Sequence, residues 1–311
     1  MIRQNVPLKD YSNFKIGGNA LYFLEVFSKE ELIEGLKEWG KLSKDSYDKI
    51  FVLGGGTNIL FSDLGFPGLV IKNSICGIKI SENIVEACGG VLISDLLNFC
   101  IDNSLSGFEW AGGLPGTVGG AVRGNAGAFN GETKDSVLEV ESVDLTTCET
   151  KTRNNKDCGF SYRMSIFKLA AVNEIIVSVK FKFQIGDKQE IKSLIQEKID
   201  HRLRRHPLEY PNAGSIFKNV PYESFSEKLQ EELFQYIKKD PFPVIPTAKL
   251  NFLAGLSGKR VGDVQLSEKH TNFIVNLGNA KAEDVKKLIQ IIKDSVKEKF
   301  AVTLEEEIML V

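Results

Sequence analysis

Apolar residues recur along this chain at two periods. In FSKEELIEGLKEWG, Leu32, Ile33, Leu36 and Trp39 share one helical face, and Ser28 stands three residues before Glu31 in the spacing of a capping box. An amphipathic helix is predicted there. DKIFVLGGGTNILF reads as a short apolar strand running straight into three glycines, and FPGLVIKN as a second strand. LISDLLNFCIDN returns to helical spacing, whereas NEIIVSVKFKF puts Ile175, Val177, Val179, Phe181 and Phe183 on one face at period two, the pattern of a half-buried strand. EIKSLIQEKIDHRLRRHP repeats Ile191, Leu194, Ile195, Ile199 and Leu203 at helical spacing up to Pro207, where a domain boundary is expected. Beyond it, PYESFSEKLQEELFQYIKKDPFPVIP predicts a charged amphipathic helix with a proline-rich stop, and TNFIVNLG predicts a strand. AEDVKKLIQIIKDSVKEKF predicts a helix with an apolar stripe of Val285, Leu288, Ile289, Ile292 and Val296. Two domains, both mixed α and β, are the economical organisation.

Composition narrows the partners. With 39 basic and 41 acidic residues among 311, the formal net charge of −2 provides no global field for nucleic acid or an anionic membrane, so an anionic ligand must be held locally. Cys76, Cys88, Cys100, Cys148 and Cys158 form an odd, scattered set without a CxxC pair, which predicts reduced thiols used as core filler. His201, His206 and His270 make no local metal motif, and no metal is expected. The first residues lack the apolar run of a signal peptide, and no transmembrane stretch is present, so a soluble, cytoplasmic protein is expected.

The chemistry begins with glycine. In LGGGTNIL, Gly54, Gly55 and Gly56 follow a strand, the setting in which backbone N–H groups converge on an anion, and Thr57 and Asn58 add side-chain donors. The plain alternative is a tight turn, because the run matches neither the Rossmann nor the Walker pattern. AGLSGKR, at 254–260, also fails the Walker pattern and is read as a turn. A second cluster, GGLPGTVGGAVRGNAG, strips side chains from some sixteen residues and lets backbone lie along an extended ligand. Two such loops suggest a dinucleotide gripped in separate places.

The motif series NFKIGGNA (13–20), LGGGTNIL (53–60), GLPGTVGGAVRGNAGAFNGE (113–132), FSYRMSIFK (160–168), PNAGSIFKN (211–219), LSEKHTNFIVN (266–276) and LEEEI (304–308) resembles, in order and over nearly the whole chain, the UDP-N-acetylenolpyruvoylglucosamine reductase (MurB) family. The resemblance implies an α+β fold: an FAD-binding domain of the vanillyl-alcohol-oxidase (PCMH) type with a smaller α+β substrate-binding domain. The expected boundaries are 1–200 for the former, in subdomains of about 1–75 and 76–200, then 201–303, and a tail, 304–311, that returns to the active site. It further implies that NADPH reduces FAD and that a hydride passes to the enolpyruvyl double bond of a UDP-sugar, yielding UDP-N-acetylmuramate for peptidoglycan. The expected partners are these small molecules, with no nucleic acid, no membrane insertion and a monomeric chain.

Hydride addition to an enolpyruvyl group builds negative charge on the neighbouring carbon and its carboxylate, so the site needs a cation and then a proton. By the resemblance, the proton donor is Ser215, in a stretch that taken alone reads as a turn. The YR pair gives Tyr162 and Arg163, the latter a carboxylate clamp. The terminal motif selects Glu307 rather than Glu305 or Glu306, with Glu306 standing where the family usually has proline. FAD contacts are expected from Gly54, Gly55, Gly56, Thr57, Asn58, Ile59, Gly113, Pro115, Gly116, Gly119, Gly120, Asn125, Ala126 and Gly127. Substrate contacts are expected from Tyr162, Arg163, Arg205, Lys218, Asn219 and His270. Val220 replaces a common proline, and 221–246 exceeds the length in compact members. Two rival readings remain at this level: another FAD-dependent oxidoreductase of the same fold, and a non-catalytic flavin- or nucleotide-binding protein.

Overall fold

Two short N-terminal segments group with the distant C-terminal residues. In the computed structural model, which describes residues 1–42 and 49–311, residues 1–6, 20–55 and 67–202 form one unit, and residues 7–19, 56–66 and 203–311 form the other. The grouping follows hydrophobic burial: Phe14, Ile16 and Leu60 belong to the same core as Ile216, Leu250, Ile274 and Leu288. Asn276 also donates to Phe14 O at 3.0 Å, and Asp63 caps a helix by accepting from Ala282 N at 3.0 Å.

The first unit holds two larger sheets. Strands Arg3–Pro7, Asn19–Val26, Phe66–Asn73 and Ile50–Leu53 are neighbours in that order, the last two being parallel. Helix Lys29–Leu42 buries Leu32, Leu36 and Trp39, and Gly35 allows its close approach, since a Cβ there would lie 2.3 Å from Leu24 Cδ2. Its cap matches the predicted spacing with one shift: Ser28 Oγ accepts from Glu31 N at 3.1 Å, while the Glu31 carboxylate reaches back to Phe27 N at 2.8 Å. The second sheet is antiparallel, in the order Thr150–Asn154, Val137–Asp144, Glu174–Lys182, Ile84–Cys88 and Ile78–Ser81.

Strand Glu174–Lys182 corrects the one-face expectation. A register shift opposite Glu141 and Ser142 inserts an extra residue, and a bulge of that kind exchanges the two faces of a strand. Ile175 and Val177 consequently pack with Leu24, Trp39 and Ile71, whereas Ile176, Val179, Phe181 and Phe183 pack with Leu96, Phe108 and Val118. The strand thus supplies two cores.

Three other expectations are narrowed. Helix Lys188–Arg205 buries Ile191, Ile195 and Arg202, but Leu194 and Leu203 face solvent because they lie off that stripe. Residues 221–246 form short turns around the helix Glu227–Leu233, and Val244–Ile245 pairs with Val220–Pro221 in place of a longer helix. Of the cysteines only Cys100 and Cys158 are core filler, their thiols pushed up by burial to about 12 and about 11; Cys76 is exposed, and Cys88 and Cys148 are half-buried.

The second unit has the sheet Asn212–Ser215, Phe273–Asn276, Val264–Leu266 and Arg260–Val261. Against it lies the helix Ala282–Phe300, whose stripe of Val285, Leu288, Ile289, Ile292 and Val296 is buried as predicted. Residues Met309–Leu310 run parallel to Ile59–Leu60. Among the described residues, no helix is long and apolar enough to cross a membrane.

On the antiparallel sheet of the first unit, Lys151 bridges Asp144 at 2.9 Å and Glu174 at 3.2 Å, and Arg153 grips Glu174 with two nitrogens. The Lys151 hydrogen bond, aided by the N–H groups of Thr147 and Thr146, holds the Asp144 carboxyl down at about 2. A carboxyl lowered on folding stabilises the native state above its unfolded pKa of about 3.9 and loses that contribution as pH falls toward its folded value. Acid titration of thermal stability should therefore be steeper for the parent protein than for Asp144→Asn across roughly pH 4 to 2; superimposable profiles would contradict this.

Candidate active site

In the second unit the stretch around Ser215 is an irregular strand edge. Asn212 pairs with Val275 and Ser215 with Phe273, leaving an extra residue between them on one side. Gly214 takes φ +76° there, and Asn212 Oδ1 accepts from its N–H at 3.0 Å. The turn-forming residues of PNAGS thus build a bulge that ends at a half-buried serine.

The C-terminal segment is tied to the residues just after that serine. Glu307 N donates to Ile216 O at 2.8 Å, Phe217 bridges Glu306, and Lys218 N donates to Glu305 O at 2.9 Å. This pairing gives the three glutamates separate roles. The Glu305 carboxylate takes the Lys218 ammonium, and Glu306 takes Lys293 at 2.8 Å. Glu307 is held through its backbone, with its carbonyl accepting from Asn58 Nδ2 at 3.0 Å. Met309 N then donates to Asn58 O at 3.1 Å. Asn58 therefore joins the terminal segment to the residues after the first glycine loop, and Ile59 is buried beneath the same pairing.

Other expected ligand residues of this unit also serve the fold. Gly56 has φ +67°, and a Cβ there would lie 2.0 Å from Tyr11 O, so its glycine answers to packing. Asn219 Oδ1 accepts from Thr247 N at 3.2 Å at the start of helix Thr247–Leu253. His270 meets the edge of Phe273 at 4.7 Å and of His206 at 5.3 Å, which brings it beside the strand partner of Ser215. Arg205 is exposed at the end of its helix.

In the first unit the two glycine clusters meet. A Cβ on Gly54 would lie 2.8 Å from Thr117 Oγ1, and the Lys72 ammonium donates to Gly54 O. Burial lowers the Lys72 pKa, against the charge of Glu25. Thr117 caps the helix Val118–Gly124, accepting from Gly120 N at 3.4 Å, and Gly119 N donates to Gly89 O at 2.8 Å. Gly116 O accepts from Ile93 N at 3.0 Å. Gly124 has no atom within 4 Å of the place a Cβ would take, so that flank is open. Ala126 is stitched back to Ala121 O and on to Thr133.

Asn125 organises the end of this segment. It is fully buried at φ +40°, donates to Glu132 Oε1 at 3.1 Å and Ser161 O at 2.9 Å, and accepts from Lys134 N at 3.1 Å. Its carboxamide is thereby committed to protein partners. Ser161, whose carbonyl accepts from Asn125, leads to Tyr162 and Arg163, which form the tip between reciprocally bonded Ser161 and Met164, Arg163 having φ +56°. The Arg163 guanidinium lies over the Tyr162 ring at 5.2 Å and donates from Nη2 to Gly127 O at 2.9 Å. A side chain on Gly127 would crowd both Glu132 and Arg163.

Sequence reasoning missed Lys72, Thr117 and Arg202. Arg202 is buried and donates from Nε to Gly112 O at 2.8 Å, and Gly113, at φ +72°, leaves room for its stem. Its signal was legible as a charge standing three residues after Ile199 on the helix's apolar side. The donors along this segment, bare glycine backbone with the half-buried Arg123 and the buried Arg202, suit an extended anionic ligand.

Residues 26–151 match the FAD binding domain family, and residues 206–311 match the family described as UDP-N-acetylenolpyruvoylglucosamine reductase, C-terminal domain. Among curated relatives, UDP-N-acetylenolpyruvoylglucosamine reductase of Caldicellulosiruptor saccharolyticus is 40% identical over 97% of this chain and 89% of its own length. That of Caldicellulosiruptor bescii is 38% identical over 98% and 89%. The crystal structure of UDP-N-acetylenolpyruvylglucosamine reductase (MurB) from Thermus caldophilus aligns over 100% of this chain and 99% of its own, with a TM-score of 0.77 at 30% identity.

Asn125→Ala should lower unfolding free energy by about 2 kcal/mol or more, because it strands buried partners on three sides. Denaturant unfolding of the variant checks this; an unchanged midpoint would mean that the segment is held otherwise.

Proposed function

This chain belongs to the UDP-N-acetylenolpyruvoylglucosamine reductase family, and on that footing we propose how its residues perform the reaction. It is an FAD-dependent reductase of UDP-N-acetylenolpyruvoylglucosamine in peptidoglycan synthesis, with an α+β FAD-binding domain of the PCMH type and a smaller substrate domain. The glycine segments at 54–59 and 113–127 are the cofactor contacts in this reading, and the bare backbone with basic side chains beside it fits the anionic dinucleotide. Bound FAD supplies the hydride, obtained from NADPH, that adds to the terminal carbon of the enolpyruvyl group.

The protein's own groups handle charge and proton. As the double bond is saturated, charge gathers on the carbon bearing the carboxylate, and Arg163 stabilises it by charge-assisted hydrogen bonds. Tyr162, lying under the guanidinium, keeps it oriented and lines the substrate. Ser215 gives its hydroxyl proton to that carbon, completing addition of hydride and proton across the bond. Glu307 orients the reacting group, while Arg205, Lys218, Asn219 and His270 meet the rest of the nucleotide sugar. The single observation that carries this reading is the bond from Glu307 N to Ile216 O, one residue past Ser215, in a chain that matches the family from end to end. It supports an acid and a carboxylate held by one piece of backbone. Five unbridged cysteines favour the cytoplasm, where NADPH is available. We assign a monomer there, serving cell-wall growth, shape and division.

Ser215→Ala should leave flavin bleaching by NADPH close to that of the parent, while anaerobic reoxidation by the enolpyruvyl sugar slows by about two to four orders of magnitude. Stopped-flow absorbance resolves the two half-reactions, and an unaltered reoxidation rate would remove Ser215 as the acid.

A further inference from the structure

Ser215 is the last residue of its strand to pair across the sheet. It stands opposite Phe273, the first residue of strand Phe273–Asn276, and just before that residue the backbone turns away, Asn272 N and Phe273 N both donating to His270 O at 2.8 and 2.9 Å. The end of a ladder is where backbone opens most readily, so a proton donor placed there needs support from beyond it. The residues that follow Ser215 receive that support: all six backbone polar groups of Ile216, Phe217 and Lys218 are bonded. The terminal segment takes Ile216 O and Lys218 N, and Thr247 Oγ1 donates to Lys218 O. Asn272 takes the remaining three.

The Asn272 carbonyl accepts from Ile216 N at 2.8 Å, its Oδ1 accepts from Phe217 N at 3.2 Å, and its Nδ2 donates to Phe217 O at 2.8 Å. The carboxamide thus stands in for the next peptide of a strand that does not continue. Asn272 is only 3% exposed, and a side chain buried in that place must be donor and acceptor at once. An apolar residue would leave two buried backbone groups unpaired, and a carboxylate would set an oxygen against the Phe217 carbonyl. The backbone beside Asn272 is braced in turn. Fully buried Asn251 donates to Thr271 O at 2.6 Å from the helix Thr247–Leu253, whose first residue holds Lys218 O.

We propose that Asn272 is a positioning residue for the reaction: by holding the peptides on either side of Phe217 it fixes the Ser215 hydroxyl toward the carbon that takes the proton. The proposal rests on the reductase reading above. Asn272 acts through the backbone that follows Ser215, so its contribution is to the orientation of the acid. Orientation is lost steeply with small displacements, which makes a buried amide that locks the end of a strand a determinant of the proton-transfer rate.

A double-mutant cycle on the FAD-loaded enzyme, read by anaerobic stopped-flow absorbance, tests this. Asn272→Ala should slow reoxidation of the reduced flavin by the enolpyruvyl sugar about 10- to 100-fold, with reduction by NADPH within about twofold of the parent. In a Ser215→Ala background the same substitution should slow reoxidation by no more than about threefold, because the group it orients is gone. Equal slowing by Asn272→Ala in both backgrounds, or in both half-reactions, would overturn the proposal. So would a smaller amplitude at the parental rate constant, which is the mark of a residue that serves stability alone. Should Asn272→Ala fail to fold, Asn272→Asp, which keeps the shape and the Oδ1 acceptor but loses the donor to Phe217 O, decides by the same cycle: slowing that vanishes without the serine hydroxyl supports the assignment, and slowing that persists or is absent overturns it. Parent enzyme whose reduced flavin the enolpyruvyl sugar does not reoxidise would bring down the reductase reading, and this proposal with it, before any variant is compared.

Discussion

Two backbone hydrogen bonds, Glu307 N to Ile216 O and Lys218 N to Glu305 O on either side of the Phe217–Glu306 pair, are the constraint on which the chemistry proposed for the second unit depends. A run of three glutamates near a chain end is ordinarily a solvated surface. Pairing gives each a different environment: one carboxylate goes to Lys218, the next to Lys293, and the third is carried in by the peptide bonded to Ile216 and Asn58. The same contacts hold the strand that leads out of the Gly214 bulge, so the position of the serine and that of the glutamate are set by one piece of secondary structure. Catalytic groups gain from rigid support of this kind, because small displacements cost much of the benefit of orientation.

The first unit solves a different problem, that of keeping a long glycine-rich segment in one conformation. Glycine permits close approach but contributes no side chain to hold it, and the loss of chain entropy is greatest there. The holding groups come from elsewhere: Lys72 on Gly54 O, Thr117 at the helix start, Asn125 within the segment, Arg202 on Gly112 O and Arg163 on Gly127 O. Most are cationic or strong donors bonded to carbonyls, so the scaffold that orders the backbone also makes its surroundings positive. In the proposed reading, order and anion affinity arise from the same contacts.

Beneath this segment, strand Glu174–Lys182 belongs to two cores, and the bulge opposite Glu141 and Ser142 is what allows it. With strict alternation, Ile175 and Val177 would share a face with Val179 and Phe181. The extra residue turns them to the other side, where they cover the helix Lys29–Leu42 and its sheet.

Local patterning was sufficient for the elements whose stability is local: the helices at 29–42, 93–102 and 282–300, the strands at 50–53, 66–73 and 273–276, and the helix cap at Ser28 were all readable from period and turn chemistry. The motif series in the sequence likewise carried the family, the flavin domain and the reaction, since those follow from residue types in order. What the sequence could not determine was decided by pairings between residues far apart in the chain. The bulge in the strand at 174–182 depends on its partner's register, Arg202 is buried because Gly112 and Phe129 meet it, and residues 7–19 and 56–66 join the C-terminal unit because Phe14, Ile16 and Leu60 find their core there. Asn58, Asn125 and Asn219 also bond Glu307, Glu132 with Ser161, and Thr247, contacts that no local pattern announced. An amide is equally able to bond protein or ligand, and only the three-dimensional neighbours decide which.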